Sequence, residues 1–191
     1  MQSYSINGVI CDASEAKIPV NDHGFLYGDG IFEGLRFYNR RILKLSAHIK
    51  RLADSATALA ISLPMSASEI EQALLDIVAA SAHTDGYLRL IVTRGVGPLG
   101  IDPRHCDKGS VVIIADQLKM VSQEARDKGA KLIIASTRRL AGDQLASRIK
   151  SLNYLNQIMA KIEANVAGAD EAVVLNQSGF VAEGTADNIF I

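Results

Sequence analysis

The chain has 191 residues, of which 48% are hydrophobic, so it is long enough to bury the core of one large domain or two small ones. Its 20 basic and 21 acidic residues leave a formal net charge of −1, and no basic face stands out. We therefore expect neither nucleic acid nor an anionic membrane surface as the main partner.

Nothing in the sequence predicts export or membrane insertion. No apolar run approaches the ~20 residues of a membrane-spanning helix, and the start, "MQSYSINGVICD", lacks the basic and apolar regions of a signal peptide. Cys11 and Cys106 are isolated, and the histidines have no metal-binding spacing. We expect a cytoplasmic protein with free thiols and no bound metal.

The first part of the chain predicts strands and two helices. "SYSI-NG-VI" and "GLRFY-NR-RILKL" read as hairpins, and "GYLRLIVTRG" and "SVVIIAD" read as strands. Ser46 is the predicted cap of one helix, and Ser68 with Glu71 forms a predicted capping box for the next. Together these elements indicate an α+β domain over residues 1–117.

The second part of the chain predicts a further domain behind a linker. The stretch "QLKMVSQEARDKGA" is polar, and we take residues 118–128 as the interdomain linker. "KLIIAS", "EAVVLN", "FVAEG" and "NIFI" read as strands around one helix. Because the last of these is an apolar strand at the very end, we expect residues 129–191 to be an incomplete second domain, cut short at its C-terminus.

Lys150 stands directly before the helix of this second part. Apolar residues recur at helical spacing at Leu155, Ile158, Met159, Ile162 and Val166. Ser151 or Asn153 is the predicted N-cap. Because a helix start carries a partial positive charge, a lysine is unfavourable there. Lys150 is therefore either a solvated residue or an amine whose charged form is disfavoured.

Two predicted strands carry a tyrosine and an arginine on one face. In "GYLRLIVTRG", alternation puts Tyr87 and Arg89 on the face opposite to the leucines. In "IFEGLRFYN", Arg36 and Tyr38 share a face in the same way. The pattern is typical of a solvated sheet face, and it also fits a cleft that binds a carboxylate through forked hydrogen bonds.

Three residues together suggest a cofactor. Glu183 alone is typical of a turn, and Arg51 alone is typical of a helix surface. A lysine amine that is not charged can attack a carbonyl and form a Schiff base. Pyridoxal phosphate requires such a lysine, an acid against its ring nitrogen and a phosphate site. Lys150, Glu183 and Arg51 could supply all three.

Five motifs carry a family resemblance. They are "VNDHGFLYGDGIFEGLRFYN", "HIKRLADSA", "YLRLIVTRGVGPLGIDP", "RIKSLNYLNQIMAKIEAN" and "GFVAEGTADNIF". In this order they resemble the class IV, fold-type IV aminotransferases, and most of all the branched-chain-amino-acid group. The resemblance implies a two-domain fold-type IV architecture, pyridoxal 5'-phosphate as cofactor, and a homodimer or higher homo-oligomer.

The resemblance also implies a role for individual residues. The implied cofactor-binding residues are Lys150, Glu183, Arg51, Tyr154, Thr185 and Ala186. Of these, Lys150 would be the catalytic Schiff-base lysine, Glu183 the partner of the ring nitrogen, Arg51 a phosphate ligand and Tyr154 a partner of the ring hydroxyl. The implied substrate-binding residues are Tyr27, Phe32, Arg36, Tyr87 and Arg89.

The implied reaction moves an amino group between leucine, isoleucine or valine and 2-oxoglutarate, and Arg89 is the candidate for the second carboxylate of glutamate. Two alternatives keep the fold and change the reaction: a D-amino-acid aminotransferase and an aminodeoxychorismate lyase. A third is an inactive chain that acts only as a binding module. The Tyr-x-Arg pattern that ends at Arg89 and the motif "GDGIFEGLRFY" resemble the branched-chain group more than the other two, and this favours the branched-chain reaction.

Overall fold

The computed structural model describes residues 2–117 and 122–190. In chain order its elements are β1 (Ser3–Ile6), β2 (Val9–Cys11), α1 (His23–Tyr27), β3 (Gly30–Tyr38), β4 (Arg41–Ile42), α2 (Leu45–Ala58), α3 (Ala67–Ala80), β5 (Gly86–Thr93), a 3₁₀ turn (Pro103–His105), β6 (Val111–Gln117), α4 (Gln123–Lys128), β7 (Leu132–Ile134), α5 (Leu155–Val166), β8 (Glu171–Leu175) and β9 (Val181–Glu183). This mixture of helix and sheet is the predicted α+β class.

The chain divides into two compact units. The first contains the described part of Met1–Lys119 together with Ile149–Leu152, and the second contains the described part of Met120–Arg148 and Asn153–Ile191. The short segment that carries Lys150 therefore belongs with the first unit, although the sequence pattern grouped it with the helix that follows.

The first unit is built on an antiparallel sheet with strand order β2-β1-β6-β5-β3-β4. Asn7 and Gly8 join β1 to β2 with φ values of 50° and 84°. Asn39 and Arg40 join β3 to β4 with φ values of 47° and 61°. Two consecutive positive φ angles match the twist of a two-residue hairpin. Both predicted hairpins are confirmed.

Helices α2 and α3 cover one face of this sheet. The face they cover is lined by Ile31, Leu35, Phe37, Leu88, Leu90, Val92, Val111, Ile113 and Ala115, all buried. The α3 side of the core consists of Ile70, Ala73, Leu74, Ile77 and Val78, as the helical spacing predicts. Because side chains alternate along a strand, the intervening residues of β3 and β5 face the other way, which confirms the predicted polar face.

Both predicted caps in this unit are wrong by two residues. Helix α3 begins after Ser66, whose hydroxyl accepts from the Glu69 N–H, and the Glu69 side chain accepts from the Ser66 N–H. The sequence matches the capping-box pattern twice in overlapping positions, and only the first match is used. Helix α2 begins at Leu45, after Lys44 with a φ of 50°, so Ser46 lies inside its first turn.

The second unit has a small sheet with strand order β7-β8-β9. Strand β8 pairs in parallel with β7 and antiparallel with β9. The predicted linker differs in part, because Gln123–Lys128 forms the short helix α4, while residues 118–121 lie outside the described residues. Residues 188–190 are not a strand, so the predicted last strand is wrong, and Ile191 lies outside the described residues.

Helix α5, which the apolar spacing predicts, packs through small residues. Its buried residues are Ala160 and Ala164, whose small side chains let the helix approach β8 closely. The apolar residues whose spacing predicts the helix are exposed: Leu155, Ile158, Met159, Ile162 and Val166. Within the described part of the chain, no helix has the length and apolar character to cross a bilayer.

Candidate active site

The backbone of Lys150 is held against β3. The Phe32 N–H donates to the Lys150 carbonyl at 2.9 Å, and the Leu152 N–H donates to the Gly30 carbonyl at 2.9 Å. The Lys150 N–H also reaches the Ser55 hydroxyl at 3.3 Å. These two backbone hydrogen bonds lie on either side of Ser151. They pair the segment with β3 in the way that a very short strand would pair at the edge of a sheet. Lys150 therefore projects from a fixed backbone, although it lies outside any named strand.

The reason that singled out Lys150 in the sequence is wrong. Helix α5 begins at Leu155, and the residue at its N-cap position is Tyr154, which makes no side-chain capping bond. The predicted caps at Ser151 and Asn153 are therefore not used. Lys150 therefore does not stand directly before the helix, as the sequence pattern had suggested. The assignment as Schiff-base lysine stays a prediction.

Two cationic side chains lie close to the ring of Phe32. The Lys150 Nζ lies 4.6 Å from the ring centroid, and the Arg89 guanidinium carbon lies 3.7 Å from it. Both distances are within the range of cation–π attraction. Phe32 is only 2% exposed, although it points away from the helix-covered core. The structure thus brings Lys150 together with two predicted substrate residues.

The other predicted residues of this face lie beside the same ring. Arg36 and Tyr87 are paired across β3 and β5, so their side chains lie on the same face, next to Arg89. The Tyr87 ring lies over Gly34, where any side chain would collide with the tyrosine hydroxyl. Phe32, Arg36, Tyr87 and Arg89 therefore form one polar and aromatic surface, which we call the Phe32 face.

Tyr27 is placed by a different set of contacts. It ends helix α1, and its hydroxyl accepts from the Gly100 N–H at 2.8 Å. Its ring meets the buried His23 ring edge-on, with the centroids 4.9 Å apart. These contacts tie Tyr27 to the loop that follows β5. Its predicted role in substrate binding stays a prediction.

Arg51 is paired with a residue that the sequence analysis missed. Glu33 lies on the core side of β3 and is 0% exposed. Arg51 donates to it through Nε at 2.7 Å and through Nη2, and His48 Nδ1 lies 2.9 Å from its second oxygen. Alternation along β3 puts Glu33 among core residues, and a buried charge there requires a partner. The predicted contact of Arg51 with a phosphate stays a prediction.

The predicted cofactor residues of the second unit have contacts of their own. Glu183 ends β9 and forms an ion pair with Arg139, with Nε 2.8 Å from Oε1. The Thr185 hydroxyl is buried and donates to Glu171 at 2.7 Å. Ala186 follows in the same turn. The sequence analysis missed Arg139, because nothing in "STRR" distinguishes it from a surface arginine.

Glu163 of α5 forms hydrogen bonds that hold the segment following β7 in place. Its carboxylate accepts from the hydroxyl and the N–H of both Ser136 and Thr137, at 2.5–3.0 Å. The Thr137 hydroxyl bond, followed by the bonds from Ser136, lowers the pKa of Glu163 to about 2. This segment leads from β7 directly into Arg139.

Comparisons with known proteins show the family of the chain. Residues 30–191 match the sequence profile of the family Amino-transferase class IV. A Methanocaldococcus jannaschii relative, provisionally named a branched-chain-amino-acid aminotransferase, is 48% identical over 97% of this chain and 64% of its own length. The D-alanine aminotransferase of Bacillus licheniformis is 33% identical over 97% of this chain and 63% of its own length.

A solved structure gives the same result for the fold. The T.th. branched-chain amino acid aminotransferase, complexed with N-(5'-phosphopyridoxyl)-L-glutamate, has a TM-score of 0.87 at 33% identity, covering 96% of this chain and 62% of that one. The chain belongs to the class IV aminotransferases. The predicted family and the fold-type IV architecture are thereby confirmed. The chain spans between 62% and 64% of the length of these relatives.

Proposed function

We propose that this protein is a pyridoxal-phosphate-dependent transaminase that moves an amino group between a branched-chain L-amino acid and 2-oxoglutarate. The observation that carries the proposal is the position of Lys150. Its backbone is fixed to β3, and its amine lies over the Phe32 ring that also bears Arg89. A primary amine is thus held beside a guanidinium that suits a carboxylate substrate.

The residue types present fit the cofactor. A primary amine is available in Lys150, a carboxylate already oriented by a guanidinium in Glu183, and a guanidinium held by a buried acid in Arg51. These are the groups that the aldehyde, the ring nitrogen and the phosphate of pyridoxal phosphate require. When bound, the cofactor supplies an electron sink for the charge that develops when the substrate Cα loses its proton.

Lys150 has two tasks in this proposal. Its amine would hold the cofactor, and the same amine, when free, would carry a proton to and from the substrate Cα. Both tasks require the amine to return to one place. The backbone hydrogen bonds to Phe32 and Ser55 supply that constraint, because they fix the origin of the side chain.

The Phe32 face suits two kinds of substrate side chain. The apolar side chain of leucine can pack on the ring of Tyr87, which is not charged and is half-buried. The second carboxylate of glutamate can instead accept forked hydrogen bonds from Arg89. Arg89 lies over the Phe32 ring and on the same face of the sheet as Tyr87. One face can therefore serve both half-reactions.

The proposal is tested by product identity. The protein encoded by its complete reading frame, loaded with pyridoxal phosphate, is given leucine and 2-oxoglutarate. We expect 4-methyl-2-oxopentanoate and glutamate in equal amounts, and no reaction with D-alanine. Reaction with D-alanine would favour the D-amino-acid alternative. The 33% identity to a D-alanine aminotransferase is the observation that supports this alternative. Pyruvate and an aminobenzoate formed from aminodeoxychorismate would favour the lyase.

The same material tests the remaining parts of the proposal. A yellow protein that loses its visible absorbance after borohydride treatment would exclude a binding module without chemistry. We also propose a homodimer or higher homo-oligomer in the cytoplasm, in line with the resemblance. Light scattering on the purified protein would contradict the oligomer if it found a monomer.

A further inference from the structure

Arg139 and Glu183 form an ion pair within the second unit. The Arg139 Nε lies 2.8 Å from Oε1 of Glu183, and the two side chains are 17% and 34% exposed. The pair joins an irregular segment that follows β7 to the last residue of β9. A guanidinium that reaches one oxygen of the carboxylate leaves the other oxygen, Oε2, for a further donor.

The backbone of Arg139 is anchored on both sides. Its N–H donates to the Leu175 carbonyl at 2.9 Å, and its carbonyl accepts from the Gln177 amide at 2.8 Å. The preceding carbonyl, that of Arg138, accepts from the Asn156 amide at 2.9 Å. An irregular segment normally has few such bonds. Arg139 is therefore held from β8, from the turn after β8 and from α5.

Glu163 extends this anchoring to the two residues before Arg138. Its carboxylate accepts from the hydroxyls and N–H groups of Ser136 and Thr137. Every residue from Ser136 to Arg139 thus makes at least one hydrogen bond to α5, β8 or the turn after it. A side chain on so fixed a backbone loses little further entropy when it holds a partner, which is how a supporting residue is pre-organised.

We propose that Arg139 is a positioning residue that keeps the proton of the cofactor ring on the pyridine nitrogen. This inference rests on the proposed function, in which Glu183 faces that nitrogen. Arg139 binds Oε1 and orients the carboxylate, so that Oε2 accepts the ring N–H. A carboxylate oriented in this way would form a charge-assisted hydrogen bond with a protonated ring nitrogen, and this bond would keep the proton on the nitrogen.

Loss of Arg139 changes the position of that proton. Without the guanidinium, the Glu183 carboxylate is less well oriented and would form a weaker hydrogen bond with the ring N–H. The protonated ring is then less favoured, and the ring withdraws electrons less strongly. If the ion pair served only to hold β9 to the neighbouring segment, the result would differ. Its loss would lower the stability of the protein and leave the protonation of the ring nitrogen unchanged.

The test is the ¹⁵N resonance of pyridoxal phosphate labelled at the ring nitrogen and bound to the protein, because this resonance differs strongly between protonated and unprotonated rings. Arg139→Met removes the charge. Arg138→Met is the matched control, since Arg138 is the adjacent arginine of the same segment and its side chain is exposed. Arg139→Lys keeps the charge without the guanidinium and is the second variant, in case Arg139→Met does not fold.

We expect the resonance of Arg139→Met to move towards the unprotonated position, that of Arg139→Lys to lie between, and that of Arg138→Met to match the parent protein. The rate of the leucine half-reaction should fall roughly tenfold or more in Arg139→Met, as for loss of one charge-assisted hydrogen bond. An unchanged resonance in either folded Arg139 variant would overturn the inference. A parent protein whose ring nitrogen is unprotonated, or that binds no cofactor, would instead contradict the proposed function.

Discussion

Arg51 donates two hydrogen bonds to the carboxylate of Glu33, which is completely buried in β3. Arg51 comes from α2, so the pair fastens the helix to the sheet from which the Phe32 face projects. A buried carboxylate that loses its partner keeps the full cost of its lost hydration. We therefore expect the pair to stabilise the fold, although Glu33 keeps His48 as a partner when Arg51 is lost.

We expect Arg51→Met to lower the free energy of unfolding by about 3 kcal/mol, the lower end for a broken buried pair, because Arg51 itself is half exposed. Urea unfolding measures this. Lys50→Met is the matched control, since Lys50 precedes Arg51 on the same helix and pairs with the exposed Asp54. Its loss should cost no more than ~0.5 kcal/mol. Similar losses in the two variants would show that Glu33 does not depend on Arg51.

A second prediction concerns acid stability. The pKa of Glu163 is lowered from 4.5 to about 2, chiefly by the Thr137 hydroxyl. A group whose pKa is lower in the folded state stabilises the protein above its unfolded pKa, and this contribution is lost as the pH falls. We expect Glu163→Gln to weaken the decline of stability between pH 4.5 and 2. Parallel stability curves for the parent and the variant would show that the Ser136 and Thr137 bonds do not favour the ionised form.

The strands of the first unit could be predicted because their signal is local. In β3 and β5, residues that face the core alternate with residues on the other face of the sheet. The two hairpin turns have residues that tolerate positive φ. The polar face that holds Arg36, Tyr87 and Arg89 follows from that alternation. A one-residue shift in register would have moved all three to the core, so the pattern is decisive.

Other features depend on contacts that a sequence pattern does not contain. The large apolar residues of α5 have helical spacing and predict the helix. The residues that pack against β8 are nevertheless the small Ala160 and Ala164. Lys150 is placed by hydrogen bonds to a strand that lies far away in the sequence, which no local pattern predicts. Glu33 was detectable as a charge on the core side of a strand, whereas Arg139 has no such signal.

Glu183 should affect turnover more than cofactor binding. Its carboxylate is held by Arg139 and, in the proposed function, faces the ring nitrogen. Glu183→Gln keeps the shape and removes the charge, so the ring loses its protonated form. We expect the rate of both half-reactions to fall roughly tenfold or more, with the dissociation constant of pyridoxal phosphate changing far less. Unchanged turnover would show that Glu183 has only a structural role at the end of its strand.

Arg89 should serve only one of the two half-reactions. A branched-chain side chain has no use for a guanidinium, whereas 2-oxoglutarate has a second carboxylate. We expect Arg89→Ala to weaken the 2-oxoglutarate half-reaction by ~1.5–3 kcal/mol, as for a charged hydrogen bond, and to spare the leucine half-reaction. Single-turnover rates with each substrate measure this. Equal losses would mean that Arg89 binds the shared α-carboxylate or supports Phe32, on which it rests.

The central claim is that Lys150 holds the cofactor, and reductive labelling tests it most directly. The protein from its complete reading frame is loaded with pyridoxal phosphate, treated with borohydride, digested and mapped by mass spectrometry. We predict that the phosphopyridoxyl label appears on Lys150. Lys150→Ala should stay folded, since the hydrogen bonds that place this segment come from the backbone, and should take up no label. Label on Lys131 or Lys161 in the parent protein, with Lys150 unmodified, would contradict the account.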